Sequence, residues 1–235
     1  MLRYYSIILL ITTALLWGCG GDKGRTTDQQ KTTTPQSDHS QPQHAEQTKN
    51  VQNILFFGTS LTAGLGVDPE EAYPALIQDK IDSLQLPYKV INAGLSGETS
   101  AAGKNRIDWL LRQPVDIFVL ELGANDGLRG IPVTETIVNL QQIIDKVKAK
   151  NPNARLIMAG MQMPPSMGQK YTSDFKELFP ALAEKNRMAI IPFLLKDVGG
   201  IPALIQQDGL HPNVKGHKIL AKNVWEILQP ELYGQ

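Results

Sequence analysis

The chain has 235 residues, 42% hydrophobic and 20% charged, with Lys and Arg balancing Asp and Glu at 23 each. A formal net charge of zero leaves no electrostatic footprint for nucleic acid, and the single cysteine, Cys19, excludes an intramolecular disulfide or a thiolate metal cluster. The composition is globular in total but uneven along the chain.

The opening MLRYYSIILLITTALLWGCGG carries Arg3, an apolar run through Leu16 and a small residue before Cys19, the outline of a secretory signal over 1–18. The run stops short of the roughly 20 apolar residues that a spanning helix, the alternative reading, would need. L-W-G-C resembles the lipobox of bacterial lipoproteins. The resemblance implies that Cys19 becomes a lipid-bearing N-terminus held at the membrane of the bacterial cell envelope; a plain signal peptide with an incidental cysteine stays open. Gly20 in place of an aspartate implies, by the same resemblance, the outer membrane or periplasmic side of a Gram-negative cell. Residues 19–50 are rich in Gln, Thr, Ser, Asp and Pro, too polar to offset their ordering entropy, and read as a disordered tether with an r.m.s. span of roughly 30 Å. His39 and His44 read there as solvated spacers.

From Val51 on, about 185 residues remain, enough for one domain over 51–235. Nearly continuous apolar runs at 53–58, 88–94, 116–123, 154–160 and 188–194 read as strands buried on both faces, and longer amphipathic segments between them as covering helices. This is the pattern of an α/β protein built on a five-stranded parallel sheet. DPEE reads as a turn before a helix with Pro74 in its first turn, VTETIVNLQQIIDKVKAK as the clearest helix, FKELFPALAEKN as a helix kinked at Pro180, and VKGHKILAKNVWEIL as the last. In such a sheet, ligands bind beyond the carboxyl ends of the strands. The segments there are FFGTSLTAGLG, NAGLSGETS, GANDGLRG, MQMPPSMG and DGLHPN, all expected to be irregular.

The first of these could face a phosphate or a carbonyl. No lysine follows its glycines as a P-loop requires, and Pro69 stands where a dinucleotide fingerprint needs its third glycine. A hydroxyl at Ser60 instead needs a base. His211 lies beyond the fifth strand in D-G-L-H, where Asp208 can turn back onto the imidazole. His217 reads as packed near the start of the last helix, and Ser96 is a rival nucleophile or part of a turn that points the Gly94 amide inward. Candidate donors to an oxyanion are the amides of Ser60 and Gly94 and the side chain of Asn125, although Asn125-Asp126-Gly127 also reads as a simple tight turn.

G-T-S-L (58–61), Gly94 in NAGLSG, G-A-N-D (123–126) and D-G-L-H-P (208–212) resemble, in order, the four blocks of the SGNH or GDSL-type serine hydrolases. The likeness covers 52–229 and is nearest to the branch of bacterial arylesterases, acyl-thioesterases and lysophospholipases. It implies a flavodoxin-like three-layer αβα sandwich. It also implies Ser60 as nucleophile, His211 as general base and acid, Asp208 as its orienting acid, and an oxyanion hole from Ser60, Gly94 and Asn125. Thr59 replaces the aspartate of G-D-S-L, removing a charged acceptor beside the nucleophile. The elbow G-x-S-x-G of α/β-hydrolases fails at Thr62, and S-D-F-K (173–176) reads as a solvated helix start.

The expected chemistry is hydrolysis of esters or thioesters, with activity rising through roughly pH 6–7, where an imidazole ordinarily loses its proton. No metal or cofactor is implied. Met161, Met163 and Pro164, with Leu128 and Ile131, are expected to line an acyl or aryl site, although core filling is an equal reading of the methionines. Short to medium acyl esters lead, with lysophospholipids and acyl-thioesters also open. An envelope carbohydrate O-deacetylase and a non-catalytic binding lipoprotein are the alternatives.

Overall fold

The computed structural model describes residues 51–233. The signal at 1–18, Cys19 and the tether over 19–50 lie outside the described residues. Five parallel strands, β1 (Gln52–Gly58), β2 (Tyr88–Gly94), β3 (Ile117–Glu121), β4 (Arg155–Ala159) and β5 (Ala189–Ile191), form one sheet in the order β2-β1-β3-β4-β5. Their apolar continuity is explained by burial on both faces: Ile54, Phe56, Phe57, Ile117, Phe118 and Leu120 are all fully enclosed. The second strand has its expected bounds and the first gains Gln52, whereas the ends of the last three are trimmed. Pro192 has no N–H to continue β5, and the chain beyond Glu121 and Ala159 turns into the loops that build the site.

The helices are α1 (Ser60–Ala63), α2 (Tyr73–Ser83), α3 (Ser100–Leu110), α4 (Ala124–Leu128), α5 (Val133–Lys150), α6 (Gln169–Asn186) and α7 (Val214–Leu232). Because crossovers between parallel strands are right-handed, the step from β1 to β2 places its helix on the face opposite to the helices that follow β2, β3 and β4. Accordingly α2 packs with α7, while α3 packs with α5 and α5 with α6. The result is a three-layer αβα sandwich.

On α5 the buried positions Thr136, Leu140, Ile143, Ile144 and Val147 recur at helical spacing, the stripe expected of a helix laid on a sheet. Pro74 does sit in the first turn of α2, preceded by a 3₁₀ turn at Pro69–Glu71. The segment at 173–176 lies inside α6, which begins at Gln169 and passes through Pro180 without a break. Two of the five loops are not irregular. The chain enters α1 directly at Ser60 and α4 directly at Ala124, so Asn125-Asp126-Gly127 is a helical turn rather than a free tight turn.

The strand order reverses between β1 and β3, since β1 leads outward to β2 on one side while β3 lies on its other side. The crevice at this switch point is where an open parallel sheet receives a ligand.

Candidate active site

Ser60 opens α1 at the carboxyl end of β1 and is nearly buried. Its Oγ lies 2.8 Å from His211 Nε2. His211 Nδ1 lies 2.6 Å from Asp208 Oδ2, so an Nδ1–H donated to the carboxylate leaves Nε2 free to accept from the serine. The other carboxylate oxygen, Asp208 Oδ1, accepts from the backbone N–H groups of Leu210 (2.9 Å) and His211 (3.0 Å). These bonds, first from the His211 and Leu210 amides and then from the imidazole, hold Asp208 down to about 2. It is ionised wherever an imidazole can titrate. Gly209, at φ +74, lets the chain fold back tightly enough for one carboxylate to reach both the backbone and the ring.

The histidine loop is tied to the serine loop by Gln206, which sequence reasoning missed. Its Nε2 donates to the carbonyls of Leu65 (2.7 Å) and Pro212 (2.8 Å), and its backbone N–H to the carbonyl of His211 (2.7 Å). A glutamine between two irregular segments carries no local pattern that would single it out.

Asn125, in α4, lines the same cavity as Ser60 and His211, and its Nδ2 donates to the Glu98 carbonyl at 3.1 Å. Asp126 beside it is fully buried and accepts from Ser100 N–H (2.8 Å) and Ser100 Oγ–H (2.5 Å), locking α4 to the start of α3.

Gly94 does not hold a free donor. Its N–H is given to Asn92 Oδ1 at 2.9 Å, and a Cβ there would lie 2.2 Å from the backbone nitrogen of Ala63. Gly94 is a glycine because α1 rests directly on β2. The turn that follows places Gly97 at φ +78, with open space around its Cβ position, and the N–H groups of Gly97 and Ser60 have no partner among the described residues. Ser96, the rival nucleophile, is exposed.

A cavity of about 550 Å³ opens at Ser60 and His211, with Leu128, Met161, Met163 and Pro164 in its wall. Ile131 is not among the lining residues; its carbonyl instead accepts from the Tyr171 hydroxyl at 2.7 Å. Met161 and Met163 are also part of the core, so both readings of the methionines hold at once. Phe193, Ile205 and Leu210, from the long segment after β5, complete the apolar wall. Neither Trp109, exposed on α3, nor Trp225, buried on α7, reaches it.

Behind Ser60 stands Glu121, fully buried at the end of β3. Its Oε2 accepts from Thr59 N–H (2.8 Å) and the Thr62 hydroxyl (2.8 Å), and the Thr59 hydroxyl reaches both of its oxygens at 3.0 Å. Burial pushes Glu121 up to about 7 against the pull of these bonds. Thr62 also meets the Tyr73 hydroxyl at 2.7 Å. Tyr73 is raised well above its ordinary value by burial and by the charge of Glu121. With Thr59 in place of the aspartate, a carboxyl still stands beside Ser60, supplied by Glu121 from β3. His217 packs in the interior as expected, accepting from Tyr73 N–H at 3.2 Å, and burial lowers it to about 4.

No group of three or more His, Cys, Asp or Glu side chains among the described residues could hold a metal ion. A model described as the GDSL-like Lipase/Acylhydrolase family matches residues 56–219. The chain belongs to that family. It is 37% identical over 183 residues to Esterase TesA of Pseudomonas aeruginosa, covering 77% of this chain and 90% of the relative. It is also 37% identical over 181 residues to Thioesterase 1/protease 1/lysophospholipase L1 of Escherichia coli strain K12, covering 77% of this chain and 85% of the relative. The structure of the psychrotrophic esterase EstA from Pseudoalteromonas sp., inhibited by monoethylphosphonate, superposes with a TM-score of 0.73 at 35% identity, covering 78% of this chain and all of the other. Family membership makes the chain an ester-bond hydrolase on an SGNH-type α/β fold.

Proposed function

We propose that this chain hydrolyses carboxylic esters and thioesters of short to medium acyl groups through an acyl-enzyme on Ser60. The observation that carries the reading is the unbroken relay Ser60 Oγ, His211 Nε2, His211 Nδ1, Asp208 Oδ2 at the mouth of an apolar cavity. His211 takes the serine proton as Oγ bonds to the carbonyl carbon, then gives that proton to the departing alcohol or thiol. Water, deprotonated by the same nitrogen, releases the acid and returns the hydroxyl to Ser60.

The negative oxygen that forms in between is received by the Ser60 amide, the Asn125 side chain and, in place of Gly94, the unpartnered Gly97 amide. One such donor is typically worth about 3–4 kcal/mol of barrier. The apolar wall of Leu128, Met161 and Phe193 supports acyl chains over sugars, since no tryptophan lies in reach to stack on a sugar ring. Names such as esterase, thioesterase and lysophospholipase among the relatives point the same way.

The enzyme works at the bacterial cell envelope, tethered by lipid on Cys19. No helix among the described residues is long and apolar enough to cross a membrane.

A fluorophosphonate probe and a panel of p-nitrophenyl esters of rising acyl length, run beside acetylated sugars, test the reading. The wild type is expected to label and to prefer acyl esters in kcat/KM, while Ser60→Ala does neither. Equal labelling of Ser60→Ala, or a preference for sugar acetates, would refute it.

A further inference from the structure

We propose that Glu121 is a positioning residue for this reaction: its buried carboxylate grips the turn on both sides of Ser60 and so fixes the nucleophile against His211. The inference rests on the reading of Ser60 given above.

β3 runs Ile-Phe-Val-Leu before it reaches Glu121, and a fifth apolar side chain would complete it at lower cost than a buried carboxylate. No ion pair to Glu121 occurs among the described residues. The carboxylate is held by hydrogen bonds alone, and all of them come from Thr59 and Thr62, the residues just before and two after Ser60.

Thr59 stands at the N-cap of α1, where a threonine hydroxyl usually accepts from the helix's own amides, yet it makes no such bond. It donates to Glu121 instead. α1 has only four residues and little stability of its own, so its direction is set by outside ties. Gly58 leaves the room required: a Cβ there would lie 2.6 Å from Glu121 Oε2.

The grip depends on charge. An ionised carboxylate can accept from the Thr59 amide and both hydroxyls together. Once protonated it carries an O–H that must itself be donated, and since the Thr59 N–H cannot reverse, a threonine hydroxyl has to turn away. From α2, Tyr73 faces the carboxylate through Thr62; from α7, His217 lies behind Tyr73, stacked on it at 6.4 Å. α1 contributes no titratable group to this cluster.

The test compares wild type, Glu121→Gln and Thr59→Val on p-nitrophenyl butyrate from pH 5.5 to 9, with fluorophosphonate labelling rates and Ser60→Ala as control. A nucleophile displaced by about 1 Å loses on the order of 10²-fold. Glu121→Gln is therefore expected to lower kcat at pH 8 by ~10–100-fold, to slow labelling in parallel and to leave KM within about twofold. The acid limb of log kcat/KM should reflect two deprotonations in the wild type and one in Glu121→Gln. Wild-type kcat in Glu121→Gln, or an acid limb of unchanged slope, overturns the proposal. Should Glu121→Gln not fold, Thr59→Val decides, since it keeps size and the amide bond and loses only the hydroxyl: a lower kcat at constant KM supports the grip, an unchanged kcat overturns it. A wild type that does not label removes Ser60 and this inference together, whereas labelling that is absent only in Ser60→Ala leaves Glu121 to be judged on its own.

Discussion

At Glu121 burial and hydrogen bonding pull in opposite directions, and burial wins, raising the carboxyl from 4.5 to about 7. The folded protein thus holds this proton more tightly than the unfolded chain. The stability that the group contributes is complete below about pH 4.5 and is lost as pH rises through 7. At about 1.36 kcal/mol per pH unit the loss comes to about 3 kcal/mol. Glutamine cannot ionise, so the Tm of Glu121→Gln should gain on that of the wild type between pH 5 and 8, by about 6–12 °C for a domain of this size. Thermal melts of the two proteins across that range check it, and a Tm difference that stays flat with pH would count against the shift. The variant would be steadier and slower at once, the trade expected where a group is kept for catalysis rather than for folding. Nothing local in DIFVLELG distinguishes a buried glutamate from one at a solvated strand end, because its role depends on two threonines about sixty residues away. Ser60, Asp208 and His211 were legible for the opposite reason. The acid and the imidazole sit three residues apart, and strand-end placement alone brings them to the serine.

The element that carries Ser60 is held on two sides, by Glu121 from β3 and by direct contact with β2 at Gly94. The sequence reading assigned Gly94 a donor's task because a glycine in a loop is consistent with either a free amide or a close approach. Only the neighbours decide between them. At Gly94 the neighbour is the backbone of Ala63 at 2.2 Å from a built Cβ; at Gly97 there is none, and only the φ of +78 opposes a side chain. Gly94→Ala must push α1 off the sheet, an overpacking that costs about 3 kcal/mol or more and some 6–12 °C in Tm. Gly97→Ala meets only the left-handed backbone penalty of about 1–2 kcal/mol, or some 2–8 °C. Melting curves of the two variants check the order. A Gly94→Ala as stable as Gly97→Ala would mean that α1 does not rest on β2 as described. α1 and α4 themselves were invisible to periodicity, being shorter than two turns, whereas the 18 residues of α5 offered a full apolar stripe.

For the molecule as a whole, the alternation of apolar runs and amphipathic segments was enough to place five parallel strands and the edge where chemistry occurs. Their lateral order and the long excursion after β5 were not legible locally, since the first depends on which face of the sheet each helix covers and the second on side-chain ties such as Gln206. Among the described residues, the relay and the lining of its cavity run from Thr59 to His211. If Cys19 bears the anchor, its acyl chains act together where a single chain would bind only reversibly. Cys19→Ser should then move the protein from the membrane pellet to the soluble fraction while kcat and KM on p-nitrophenyl butyrate stay within about twofold, because the relay and the cavity are built from residues 59–211. Fractionation followed by activity measurement tests both halves. A Cys19→Ser protein that still sediments with membranes, or a wild type that never does, would dismiss the lipid anchor, and a collapse of kcat in the soluble variant would show that the amino-terminal segment takes part in the chemistry after all.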